Sequence, residues 1–166
     1  MLDAVLGTSR LYLAHLRRLT DDLSEEALTQ APAGAPPNGA WTLGHVAYSF
    51  QALGEELGLP PWLPPTFRDA FAPGSRAAAA GGPAPAIADV RAALEDGARR
   101  TAERMRALGP AGLAAPLPDA RFRDRLPTVG HCAAYVLCCH LATHVALAAA
   151  WRRAAGYPAA GDALLG

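Results

Sequence analysis

The sequence predicts an all-α fold, a four-helix bundle, and three observations predict it. Four segments repeat apolar residues every three or four positions, as amphipathic helices do. No stretch of useful length alternates apolar and polar residues as a strand would. The connections between the four segments are rich in Pro and Gly and very unequal in length. At 166 residues the chain fits one domain spanning 1–166, large enough to bury a core without disulfide or metal staples.

The first helix carries a stripe of Leu2, Val5, Ser9, Tyr12, Leu16, Leu19 and Leu23, spaced alternately three and four apart. Ser24 followed by Glu25 and Glu26 reads as the N-cap of a short extra turn, and the run "APAGAPPNG" then enforces a loop. The second helix starts at the N-cap Asn38 and ends with Gly58 as its C′ residue. Its inner face carries Trp41, His45, Tyr48 and Ala52. Residues 59–86 form a long crossing with one turn expected around 66–71. A crossing of that length lets the second and third helices run parallel instead of forming a hairpin. The third helix turns Ile87, Val90, Leu94, Gly97, Thr101, Met105 and Leu108 inward. Arg91, Glu95 and Arg99 lie on its outer face at four-residue intervals, and Gly109-Pro110 stops it. The fourth helix starts near Thr128 and ends before Gly156 and Pro158. At about 100° per residue, Val129, Ala133, Val136, His140, Thr143, His144, Leu147 and Trp151 share its inner face, with His131 opposite.

Composition narrows the function classes. Ala accounts for 39 of the 166 residues and Lys is absent, which points to genome bias more than to function. Fifteen Arg balance fifteen acidic residues, so no net field favours nucleic acid or an anionic membrane. The densest basic patch, "ARFRDRL" at 120–126, is short, is interrupted by Asp124 and reads as a solvated loop. The three cysteines, Cys132, Cys138 and Cys139, lie in one segment. The last two are adjacent, too close for ordinary disulfide geometry, which suits free thiols in a reducing cytoplasm. The N-terminus lacks a signal-peptide pattern, and a cytoplasmic location is expected. Residues 129–151 contain no Asp, Glu, Lys or Arg over 23 positions, long enough to cross a bilayer. Three histidines, the Ala-rich character and the three amphipathic companion segments favour a bundle core instead.

His140 and His144 stand one helical turn apart inside that apolar run. Residues four apart stack on one helix face with β-carbons about 5–6 Å apart, so two imidazoles can converge on one divalent ion. The same spacing also suits ordinary core histidines. A metal-protease motif would need Glu directly after the first His, and Leu141 stands there. A third ligand must come from another helix, and periodicity leaves two candidates open. His45 lies on the second helix between Trp41 and Tyr48, beside Gly44, which leaves room for a close neighbour. His15 flanks the stripe of the first helix and is expected in solvent.

The stretch "NGAWTLGH" on the second helix, "TVGHCAAYVLCCHLATH" on the fourth and the closing "RRAAGYP" together resemble the DinB/YfiT-like superfamily. The likeness extends over nearly the whole chain, including the Leu-Ser-Glu-Glu turn after the first helix. It implies a four-helix bundle in up-down-down-up order with a metal site of His45, His140 and His144. It further implies a divalent ion such as zinc or nickel, a homodimer, and transferase chemistry on a small-molecule substrate with a low-molecular-weight thiol. Trp41, Tyr48 and Thr143 are the expected pocket residues around the ligands.

The chain departs from the commoner family pattern at Leu141, where Glu is frequent, at Val145 and Ala146, where Gly-Gln is frequent, and at His131. The ligands are untouched, but polar groups that would orient them are lost, leaving Thr143 or Tyr48 as substitutes. No dedicated protein acid or base is visible. Two rival functions follow: a catalytically inactive bundle acting by dimerisation or partner binding, and a metal-dependent hydrolase using bound water.

Overall fold

The structure is a computed structural model describing residues 2–75 and 84–161. Those residues are mostly helical with no strand, and β pairing is limited to an isolated bridge between Pro116 and Thr128. The helices are α1 (Leu2–Arg18), α2 (Glu25–Thr29), α3 (Gly39–Glu56), α4 (Pro65–Phe71), α5 (Ile87–Leu113), α6 (Val129–Ala134) and α7 (Leu141–Ala154). A 3-10 turn, Ala120–Phe122, precedes α6, and a π-helical turn, Tyr135–His140, joins α6 to α7 without a break.

The caps read from the sequence are in place. Ser24 Oγ accepts the amide of Ala27 at 3.2 Å, and Asn38 Oδ1 accepts that of Trp41 at 2.8 Å. Thr128 caps α6, and Gly58 follows the C-cap Leu57 of α3. The expected turn near 66–71 is α4, while residues 76–83 of the same crossing lie outside the described residues. On α3, Ala52 is exposed; Phe50, Leu53 and Gly54 are buried there instead. The Gly109-Pro110 pair breaks α5 without ending it. Gly109 takes a left-handed φ of 61°, and Pro110 opens one further turn.

The core lies between α3, α5 and the α6–α7 rod. All seven inward residues assigned to α5 pack there, Leu108 only partly buried. Gly97 lets the helices approach closely, since a Cβ there would sit 2.8 Å from Phe50 Cβ. The outer charges of α5 bond beyond their own row: Arg17 pairs with Glu95 at 3.0 Å, Arg91 with Asp21, and Arg99 with Asp96 and Glu103. Arg152, 3 % exposed, grips Asp22 with both arms at 2.7 and 2.6 Å and also donates to the carbonyls of Leu19 and Pro158. That clamp ties α7 to the turn after α1.

The inner face of the last helix differs from a uniform 100° projection. Leu137, Leu141, Val145 and Ala148 are buried, whereas Thr143 is exposed and Val136 and Leu147 are half-buried. The π turn is the cause. Its i→i+5 closure widens the helix, so steps of four from Val129 through Ala133, Leu137 and Leu141 to Val145 keep one face that an α-helix would let drift. Residues 129–154 are long and apolar enough to cross a membrane by length and composition. Here they pack along α1 and α3.

Candidate metal centre

His45 comes from the middle of α3, His140 from the end of the π turn and His144 from the first turn of α7. One ring nitrogen from each lies within 4.8 Å of the others. Ring centroids are 4.5 Å apart for His45–His144 and His140–His144, and 5.2 Å for His45–His140. His15, the rival third ligand, is half-buried beside Leu19 and Arg152 and is not part of this group.

The His45 ring is fixed from two sides. Its Nδ1 is 2.7 Å from the backbone oxygen of Phe71, the last residue of α4. A carbonyl can only accept, so Nδ1 carries the proton and Nε2 keeps its lone pair. Trp41 stacks on the ring at 4.6 Å and 10°, and its own Nε1 donates to Ser75 Oγ at 3.0 Å. Ser75 in turn donates to Ala70 O at 2.9 Å. The close approach expected at Gly44 is made by α4: a Cβ there would fall 2.5 Å from Phe71 Cγ. The missing side chain of Gly44 thus seats the segment that orients His45.

His45 Nε2 and His140 Nε2 are 3.3 Å apart. Two ligands bound at 2.0–2.1 Å in a tetrahedral zinc site are separated by about 3.3–3.4 Å, so this pair already stands at chelating distance. Nδ1 of His144 is buried and has no hydrogen-bond partner among the described residues. Leaving such a group unmet costs about 1–3 kcal/mol, a cost that coordination through Nδ1 itself would offset. The donor set therefore fits a borderline-soft divalent ion.

Burial sets the electrostatics. It lowers the pKa of His45, against the opposing Phe71 hydrogen bond. Burial, then repulsion from the neighbouring imidazoles, lowers His140 to about 4 and His144 to about 3. All three rings are neutral near pH 7, the state a metal requires. His45 and His144 are 4 % and 8 % exposed, so solvent reaches the cluster past the half-buried His140. Tyr135, 47 % exposed, has its ring 6.3 Å from that of His140.

The other expected pocket residues divide. Trp41 contacts the site directly, whereas Tyr48 is half-buried against the core. Thr143 is exposed and gives its hydroxyl to the carbonyl of Cys139 at 2.9 Å, so it supplies no partner for His144. His131 is exposed and bonds Thr128, in keeping with its position opposite the inner face. Sequence reasoning missed the Phe71 carbonyl, Ser75 and Tyr135. A backbone oxygen carries no side-chain signature, and Gly44 was the one hint that something packs there. Cys132 is buried, and its thiol is pushed up to about 11 by that burial; Cys138 is half-buried and Cys139 exposed, all three free.

No curated protein and no solved structure matches the sequence. The family model for the DinB superfamily matches residues 11–148, a span that includes all three histidines. The chain belongs to the DinB superfamily.

Proposed function

We infer that the chain is a metal-dependent transferase acting on a small molecule, with a low-molecular-weight thiol as co-substrate. In this reading a zinc or nickel ion is held by His45, His140 and His144. The single observation that carries it is the meeting of three neutral, largely buried imidazoles from separate parts of the chain. Three protein ligands with open positions are the pattern of catalytic rather than structural sites. A divalent ion there would supply Lewis acidity to a thiol, a water or an electrophile. The chain's own residues do the positioning. Phe71 O and the Trp41 face hold His45, and Tyr135 flanks the approach past His140. The reading also takes the chain as one domain, a four-helix bundle in up-down-down-up order, a homodimer and a cytoplasmic protein.

One observation favours a second reading, a catalytically inactive bundle acting by dimerisation or partner binding. Neither ring nitrogen of His144 makes a hydrogen bond among the described residues, so the one turned away from an ion would lack the outer partner that normally fixes a metal-bound imidazole. Metal analysis of untagged protein separates the two. About one equivalent of transition metal per chain, lost in His45→Ala, supports the metal site, whereas metal-free protein with a wild-type melting curve supports the inactive bundle. Small thiols added to the cobalt-substituted protein then test the transferase. A spectrum that ignores every thiol and responds to ester or amide analogues indicates a hydrolase instead.

A further inference from the structure

On the side formed by α1 and α5, away from the histidines, the two helices hardly pack. α1 rests on α7 and the π turn, and α5 rests on α3. Two cavities of about 490 and 440 Å³ lie along this seam, and both are lined by Arg17 and Glu95, whose ion pair bridges it. None of the three histidines lines either cavity.

The second cavity has a built interior. Leu6, Leu13, Phe50 and Leu137, all buried, supply an apolar floor. Ser9, only 5 % exposed, also lines it, and its hydroxyl makes no hydrogen bond among the described residues. The oxygen is not fully enclosed, so it opens to the cavity and can meet a ligand atom there. Four arginines line the cavity as well. Arg17 is neutralised by Glu95, and Arg99 by Asp96 and Glu103. Arg10 and Arg106 have no partner among the described residues. The cavity therefore combines an apolar floor with two uncompensated guanidinium groups, whose planar forks match a carboxylate.

We propose that this cavity is a second ligand site, for a single-chain fatty acid. The alkyl chain lies on Leu6, Leu13, Phe50 and Leu137, and the carboxylate is held by Arg10 and Arg106 with Ser9 donating to it. A volume near 440 Å³ is in the range of small-ligand sites and suits one chain rather than a two-chain lipid.

The test is calorimetric titration of the full-length protein with dodecanoate below its micelle concentration, alongside octanoate, decanoate and dodecanol. Saturable one-to-one binding is expected, tightening about three- to fourfold per added methylene, with dodecanol clearly weaker than dodecanoate. The double variant Arg10→Gln/Arg106→Gln changes only exposed side chains and should weaken binding by about tenfold or more. Ser9→Ala should weaken it by a smaller factor. His45→Ala should bind dodecanoate as the wild type does, so failure of the metal reading leaves this one standing. Absence of saturable binding, or wild-type affinity in the double arginine variant, overturns the proposal. So does a concentration-dependent dimer that blocks dodecanoate and is dissociated by Leu13→Glu, since a second copy would then occupy the groove.

Discussion

Replacing Gly44 with alanine tests whether α4 positions the metal ligand. The new methyl group would stand 2.5 Å from Phe71 Cγ. Carbon atoms settle at about 3.5–4.0 Å, so the ring, and the end of α4 with it, must retreat by roughly 1 Å. The Phe71 carbonyl is now 2.7 Å from His45 Nδ1. The same retreat carries it beyond the range of about 2.7–3.2 Å in which such a bond is effective. His45 then loses the partner that fixes its tautomer, and metal affinity should fall by about 10–100-fold. Overpacking should cost a further 1–3 kcal/mol or so of stability in the metal-free protein, seen as a melting point lower by about 2–4 °C per kcal/mol. Competition against a chromophoric chelator measures the first effect and thermal melts the second. Gly44→Ala/Phe71→Leu, which shortens the opposing side chain, should recover part of the affinity. The reasoning is refuted if Gly44→Ala binds metal as tightly as wild type while His45→Ala does not bind it.

Three further outcomes are expected. The metal-free protein should lose stability on acidification. An unfolded histidine binds protons near pH 6.5, whereas burial keeps His140 and His144 neutral down to about 4 and 3, so stability is complete above 6.5 and declines below it. Each ring contributes a slope of up to about 1.4 kcal/mol per pH unit in that window; urea midpoints between pH 7.5 and 5 that stay level would contradict this. Asp22→Asn should destabilise by about 1–3 kcal/mol, because the buried Arg152 guanidinium loses its only carboxylate among the described residues while half-exposed Asp22 tempers the effect. Because Arg152 lowers the Asp22 pKa, that contribution is present above the ordinary carboxylate range and fades as pH falls below it, a fade the variant should lack in denaturant titrations. Trp41→Phe keeps an aromatic face on His45 but removes the bond to Ser75, so metal affinity should fall less than in Trp41→Ala when both are titrated with the same ion.

The elements that could be read in advance are those whose signal is local. Asn38, Ser24 and Thr128 announce helix starts through a hydrogen bond made within three residues. The α5 stripe follows from 3.6-residue periodicity, which a regular helix obeys throughout. The same rule misplaces Val136 in the π turn and Thr143 in α7, because the π turn breaks the regularity and nothing in "YVLCCH" declares it. For the metal site, His140 and His144 were legible from spacing, but periodicity alone did not separate His45 from His15. That choice needed the family likeness, and the support of His45 by Phe71 O needed the tertiary packing of α4.

The six-residue widening at Tyr135–His140 frees the centre from a fixed chain length. Removing one residue from this turn ahead of His140 would let a regular α-helix close, and five residues at about 100° each turn the chain about as far as six on the wider i→i+5 turn, so the downstream face would stay nearly where it is. The pair of histidines four positions apart would survive such a deletion intact. Both that pair and the leading segment would then keep their alignment with α3. A homologue lacking one codon here would thus keep the centre although its histidines stand one position nearer to Thr128.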